Sequence, residues 1–428
     1  MPSDVAPEWV TNAELSYPLP ADSDFRQVLK ERRLVPPDVV LAGGPGQQAL
    51  HDRYHQIGCK VLPYITFSNR YLDPDQKSDW PRFRLADRPE LCVYNIKSVR
   101  ERSLFADSVD ARRMEICSNT EELCAAMLDE VGHYMDAGAD GLFLDHAFGP
   151  EKCYGEEFGI HPHLYHEKDL ASYAEGQLRF APGLSAPNDN ALGNFAYAML
   201  LKRAQRLMDT CGPDKAMMLN TTYWPFRYSR HPLRKFVMYA PKSPRLVPDV
   251  IWESGHICMV ESHVVVHKDL ISADSDEHTP ARWGNFDLWF RLDHTPERYR
   301  KVGKRQVALP YFGNARLGQF REDAFYCFAI AKLHNMMWMA SLDSPGEEFL
   351  TFRLGKPLSD ECLCADGLYC RTYERGAVAA NSTDREGRLA MPVVGTRITD
   401  LFAGSRLSAH GGDLEVDLPP ESGRVYLY

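Results

Sequence analysis

The sequence predicts an α/β fold: a (β/α)8 TIM barrel followed by a small antiparallel β-sandwich domain. Three observations carry that expectation. Apolar runs of strand length alternate with segments of helical period up to about residue 354. Two long connections leave the C-terminal ends of expected strands, the face on which such barrels carry function. Beyond about residue 355 the helical period vanishes, and short β-type runs are split by Gly, Asp and Pro turns. Residues 1–354 are therefore expected to form the barrel and residues 355–428 the C-terminal β-sandwich.

Barrel strands are expected at 9–15, 38–42, 60–67, 140–145, 216–220, 257–265, 306–311 and 336–340. Helical patterns fall between them, at 25–32, 47–56, 120–137, 194–209 and 322–334. The 120–137 segment places Leu123, Met127, Val131 and Met135 at a period near 3.6, and Gly138 supplies its C-terminal stop. Leu142 to Leu144 form the apolar run that a strand buried on both faces requires. The long connections are 68–119 after the third strand and 146–193 after the fourth; 223–248 after the fifth is rich in Arg, Tyr and Pro. In the last domain, strand-like runs occur at 367–372, 377–381 and 425–428, with a turn at Gly411-Gly412-Asp413.

Composition narrows the function classes. A chain of 428 residues with 44% hydrophobic and 25% charged residues suits a soluble barrel plus an appendage. A net charge of −10 without a basic run argues against nucleic-acid binding. The 7 Trp, 20 Tyr and 20 Phe suit sugar stacking and a large core equally. The 11 cysteines are an odd number, mostly in apolar or helical contexts such as Cys124, Cys258 and Cys327, which fits a reducing compartment. Residues 1–7 lack a basic and an apolar export region, and no stretch has the length of a membrane span. A cytoplasmic protein with no membrane partner is expected, and a homo-oligomer is compatible with the sequence. The one tight cysteine cluster, Cys362-Leu363-Cys364 with Cys370, lacks a CxxC pair and a nearby His, so no metal and no cofactor is expected. Gly43-Gly44-Pro45-Gly46 lacks the spacing of a nucleotide loop, and no GxSxG elbow occurs.

Two carboxylates end apolar strands. Asp145 closes Gly141-Leu142-Phe143-Leu144-Asp145, where a side chain would enter a barrel's active site. Glu261, in Ile257-Cys258-Met259-Val260-Glu261-Ser262-His263, ends an apolar run two strands later. Hydrolysis of a glycosidic bond uses two such groups, one to protonate the leaving oxygen and one as nucleophile or base. A turn cap or a structural ion pair with Arg would place the same residues for other reasons, and Glu253 is the alternative acid. Tyr64 and Asn69 after the third strand, Asn220 ending the fifth, Tyr223 and Trp224 after it, and Tyr311 and Asn314 after the seventh are candidate substrate-binding residues, with His146 and His263 beside the two carboxylates. His146, His161 and His163 could join Asp145 around a metal, although loop histidines more often face solvent or hydrogen-bond.

These segments carry a resemblance. Glu115-Ile116-Cys117-Ser118-Asn119-Thr120, a helix, and then Ala137 through Asp145 resemble barrel-type glycoside hydrolases, many of which present a catalytic Asp in a strand-four sequence of the type DGxFxD. Leu354-Gly355-Lys356-Pro357-Leu358, Arg371, Ala377-Val378-Ala379-Ala380-Asn381, Thr399 to Gly404 and Leu418 to Val425 resemble the β-sandwich that closes α-amylase-like enzymes. An α-amylase-type enzyme would carry a catalytic Glu after strand five, where this chain has Asn220 and Thr221. Asp145 with Glu261 instead resembles the dextranase-like and α-galactosidase-like groups. The resemblance implies a glycoside hydrolase acting on an oligosaccharide or small glycoside, retaining if Asp145 is nucleophile and Glu261 acid/base. A non-catalytic carbohydrate-binding barrel and a metal-dependent hydrolase using Asp145, His146 and a loop His are the alternatives.

Overall fold

The computed structural model describes residues 6–42, 47–72, 83–102, 113–147, 149, 152–169, 191–220, 254–266, 281–282, 303–311, 318, 320–358, 363–365 and 367–428. The chain is a (β/α)8 barrel followed by antiparallel sheets. The barrel strands are β1 (Leu15–Ser16), β2 (Val39–Val40), β3 (Lys60–Val61), β4 (Tyr64–Thr66), β7 (Gly141–Asp145), β8 (Ala216–Asn220), β9 (Ile257–Val266), β11 (Arg305–Tyr311) and β12 (Met337–Met339). They neighbour one another in the order β3-β2-β1-β12-β11-β9-β8-β7-β4. β5 (Asn69–Tyr71) and β6 (Arg113–Glu115) form a separate antiparallel pair, and the short β10 (Ala281–Arg282) pairs with β9.

Two compact units divide the chain: Met1–Val10, Leu41–Gln56, Lys60–Met259, and Thr11–Val40, Ile57–Cys59, Val260–Tyr428. The first holds β3, β4, β7, β8 and the start of β9. β3 and β4 are the two ends of one expected strand, parted at Leu62-Pro63, because Pro63 has no N–H for the ladder. Its carbonyl still accepts from Phe143 N at 2.9 Å. β4 pairs with β7 in register Thr66↔Asp145, and β8 pairs with β9 in register Asn220↔Met259. Helix Glu121–Asp136 precedes β7. Thr120 caps it by accepting from Leu123 N, and Glu121 and Glu122 complement the positive end of its dipole. It buries Leu123, Met127, Val131 and Tyr134 against a core that also takes Tyr197, Leu200, Leu201 and Ala204 of helix Ala191–Cys211. Gly138 ends the helix at φ 84°, the left-handed conformation that only Gly adopts without cost, and Ala139 N returns to Tyr134 O at 3.2 Å.

Gly141 opens β7 in close contact with its neighbour. A Cβ at this position would sit 1.7 Å from the carbonyl oxygen of Ala216, which is backbone and cannot swing aside. Gly141→Ala is therefore expected to destabilise the fold by about 3 kcal/mol or more. Chemical denaturation checks it, and a change below about 1 kcal/mol would show that β7 and β8 part freely.

The second unit holds β1, β2, β11 and β12, with β1 pairing parallel to both β2 and β12. The expected strand at 9–15 is corrected. Glu8–Asn12 is a helical turn, opened by Val10 N bonding to Pro7 O at 2.9 Å, and only Leu15–Ser16 is extended. Helix Arg321–Leu333 is buried at every position from Ala324 to Leu333. After Leu354 all strand pairs among the described residues are antiparallel: β13 (Leu363–Ala365), β14 (Leu368–Tyr373), β15 (Gly376–Asn381), β20 (Ser422–Leu427), β17 (Arg397–Asp400) and β18 (Ser405–Ser408) form one sheet in that order. β16 (Gly387–Pro392) pairs with β19 (Asp413–Leu418). Leu368, Cys370, Ala379, Leu389, Met391, Leu414, Val416 and Tyr426 join the two sheets through one apolar core. Alternation produces this layer: along β19, Leu414, Val416 and Leu418 are buried and the residues between them are exposed. Among the described residues no helix is long and apolar enough to cross a membrane.

Candidate functional site

Asp145 is the last residue of β7. Its carboxylate accepts from Tyr64 Oη at 2.6 Å, from Asn220 Nδ2 at 2.8 Å and from its neighbour His146 N at 2.9 Å. All three neighbours are donors, the complement that an acceptor-only carboxylate takes. Register sets Asn220 level with Asp145, whereas Tyr64 stands opposite Phe143 and its long side chain reaches the carboxylate. Tyr64 begins β4, and Asn220 ends β8, so the strands on either side of β7 each present one donor. The carboxylate is not sealed: its side chain keeps 15% of its surface. Tyr64 packs edge-on against Phe143, ring centroids 5.7 Å apart. Burial, and then the adjacent Asp145 charge, push the Tyr64 phenol well above its usual range, so it stays a donor.

His146 follows Asp145 with φ 50°, a left-handed conformation uncommon outside Gly, in which Asn, Asp and His are the side chains best tolerated. Its Nε2 lies 3.4 Å from Asp145 Oδ2. Burial lowers its pKa from 6.5 to about 4; Asp145 opposes that shift and the Arg113 charge assists it. The folded pKa is depressed, so the unfolded chain binds the extra proton between pH 6.5 and 4, and stability falls as pH drops through that window. Between pH 7 and pH 5 the loss attributable to this group is about 2 kcal/mol. His146→Asn keeps a side chain that tolerates φ > 0 and removes the titration. Its urea-unfolding free energy is expected to change correspondingly less between those pH values, and equal pH dependence in both proteins would show that His146 titrates normally.

Asn69 is buried in β5 and turned to another task. Its Oδ1 accepts from Arg113 Nε at 2.5 Å, and its Nδ2 donates to Ser68 Oγ at 3.1 Å. Arg113, which the sequence did not single out, also lies over the Tyr71 ring. Asp140, the first aspartate of the strand-four sequence, is an anchor. Burial opposes its ionisation, but Val61 N, Lys60 and His55 hydrogen-bond to it and hold its carboxyl below the usual range. Glu261 and His263 lie within β9, and Tyr311 ends β11, but their side chains are outside the described residues. Glu253, Tyr223, Trp224 and Asn314 also fall outside them.

The loop histidines join thiols. Cys117, Cys153, His161 and His163 each present one donor atom, and these atoms lie within 4.8 Å of one another. Among the described residues no comparable set includes Asp145 and His146. Cys117 lies between β6 and the Thr120 cap, whereas the other three sit in the connection that follows β7. Of the cysteine cluster considered from sequence, Cys370 is buried and Cys362 is outside the described residues.

No family model matches the sequence, and no curated protein matches it. Solved structures do resemble it in fold. A debranching enzyme from Nostoc punctiforme is 11% identical at TM-score 0.50, over 99% of this chain and 100% of that one. An α-amylase from Lactobacillus plantarum is 13% identical at TM-score 0.49, over 98% of this chain and 99% of that one. The glycoside hydrolase domain of PelA from Pseudomonas aeruginosa is 13% identical at TM-score 0.42, over 81% of this chain and 98% of that one.

Proposed function

We propose that this chain is a glycoside hydrolase that acts on an oligosaccharide or small glycoside with Asp145 as its catalytic nucleophile. The observation that carries the reading is the Asp145 carboxylate itself, at the C-terminal end of a buried barrel strand, partly open to solvent and oriented by Tyr64, Asn220 and His146 N. Fixed donors on both oxygens prevent rotation of the carboxylate, and a nucleophile needs that orientation to attack a sugar carbon in line. The fold it shares with the Nostoc punctiforme debranching enzyme supports a carbohydrate substrate by analogy.

In the proposed reaction an Asp145 oxygen bonds to the anomeric carbon as the bond to the leaving oxygen breaks. Glu261, in β9, gives its proton to that oxygen and then takes one from the water that hydrolyses the glycosyl-enzyme. The sugar is released with its anomeric configuration retained. If the two carboxylates instead serve as acid and base on a directly attacking water, the product is inverted. Proton NMR of fresh hydrolysis products from a panel of aryl and natural glycosides distinguishes the outcomes. Retention is expected; inversion would remove the nucleophile role from Asp145. Saturable sugar binding without turnover of any glycoside in the panel would favour the carbohydrate-binding alternative.

A further inference from the structure

We propose that Cys117, Cys153, His161 and His163 bind a zinc ion in a tetrahedral Cys2His2 site that pins the connection after β7 to the segment between β6 and helix Glu121–Asp136. The proposal is independent of the glycosidase reading.

Distances fit the ion. Cys153 Sγ is 3.2 Å from His161 Nε2, and Cys117 Sγ is 3.6 Å from His163 Nε2. Tetrahedral zinc with ordinary Zn–S and Zn–N bonds sets neighbouring sulfur and nitrogen ligands about 3.6 Å apart. Two thiolates and two imidazoles also form a ligand set that structural zinc sites use.

The surroundings are built for metal ligands. His161 Nδ1 donates to the carbonyl of Glu90 at 2.7 Å, so its Nε2 carries the free lone pair that faces the cluster. Glu156 Oε1 accepts from His163 N, and its Oε2 stands 3.8 Å from His163 Nδ1, an ion-pair rather than a hydrogen-bond distance, so a carboxylate lies beside the second imidazole. Tyr94 N and Gly155 N both donate to Cys153 Sγ, each at 3.4 Å, and such donors favour a thiolate. Gly155 is required for the approach, because a Cβ there would lie 2.3 Å from His161 Nε2. The set is buried: Cys117, Cys153 and His161 are closed to solvent, and the His163 side chain keeps only 5% of its surface. Binding exchanges any protons still held by the two thiols for the ion.

Elemental analysis of the full chain purified without chelator tests the site. About one zinc per chain is expected, falling at least tenfold in Cys153→Ser and in His161→Gln and unchanged in Cys211→Ser, an exposed cysteine outside the cluster. If the variants fail to fold, the wild-type chain still decides. After chelation and cobalt(II) addition, it should show tetrahedral d–d bands and a charge-transfer band of two-thiolate intensity, and zinc should bleach both. Absence of zinc together with absence of the thiolate band would overturn the proposal. So would a one-thiolate spectrum, or a disulfide between Cys117 and Cys153 found by mass spectrometry in the chain as purified.

Discussion

Asp145→Asn is expected to lower turnover of the best glycoside at least about a thousandfold, close to 4 kcal/mol in the barrier, while the chain stays folded. The substitution preserves shape and removes the charge that attacks the sugar in the proposed reaction. Its cost to the fold is small. Three donors face the Asp145 carboxylate, and an amide has only one oxygen to receive them. Tyr64, however, can rotate its hydroxyl to accept from the new amide, which limits the penalty to about 1 kcal/mol. Steady-state rates and circular dichroism on the same preparation separate chemistry from folding. A rate loss below about tenfold with native spectra would remove Asp145 from the chemistry.

Glu261→Gln should divide substrates by leaving group. Nitrophenolates depart without a proton, so formation of the glycosyl-enzyme from activated aryl glycosides should lose little, whereas natural glycosides should lose about a hundredfold or more. If Glu261 is also the base, the second step should then slow and covalent intermediate should accumulate. Azide, a small anion that attacks without base help, should restore turnover of the activated substrate and yield a glycosyl azide of retained configuration. Equal losses on good and poor leaving groups, with no azide product, would move the acid role to Glu253 or a loop residue.

The sequence was legible where burial repeats with a period. Helix Glu121–Asp136 follows from Leu123, Met127 and Val131, and the apolar runs of β7 and β8 mark strands without ambiguity. Asp145, with Tyr64, Asn220 and His146 around it, could be picked out because a barrel sets neighbouring strands side by side that are distant in the chain. Other features depend on contacts with no local trace. The 9–15 segment has the apolar content of a strand, yet a single helical turn fits between Pro7 and the extended pair Leu15–Ser16. Asn69 has the polarity of a binding residue and is consumed in holding Arg113. The Cys2His2 cluster draws Cys117 from one connection and Cys153, His161 and His163 from another, so it has no CxxC signature. A Cys followed by a His-x-His pair within one loop was the available hint.

Helix Arg321–Leu333 has no solvent face across its last ten positions, Ala324 to Leu333. One side meets β12; the other meets β15 and β20, where Gly423 approaches so closely that a Cβ would be 2.5 Å from the carbonyl of Phe325. Arg321 fastens the start of the helix by pairing with Glu348 and donating to the carbonyls of Leu401 and Phe402. The C-terminal strands thus act as the outer wall of a helix that belongs, by chain order, to the barrel. A nascent chain that has emerged only through Leu354 exposes an oily helix with nothing to cover it, so the last seventy or so residues complete the fold of this unit and cannot be traded like an independent module.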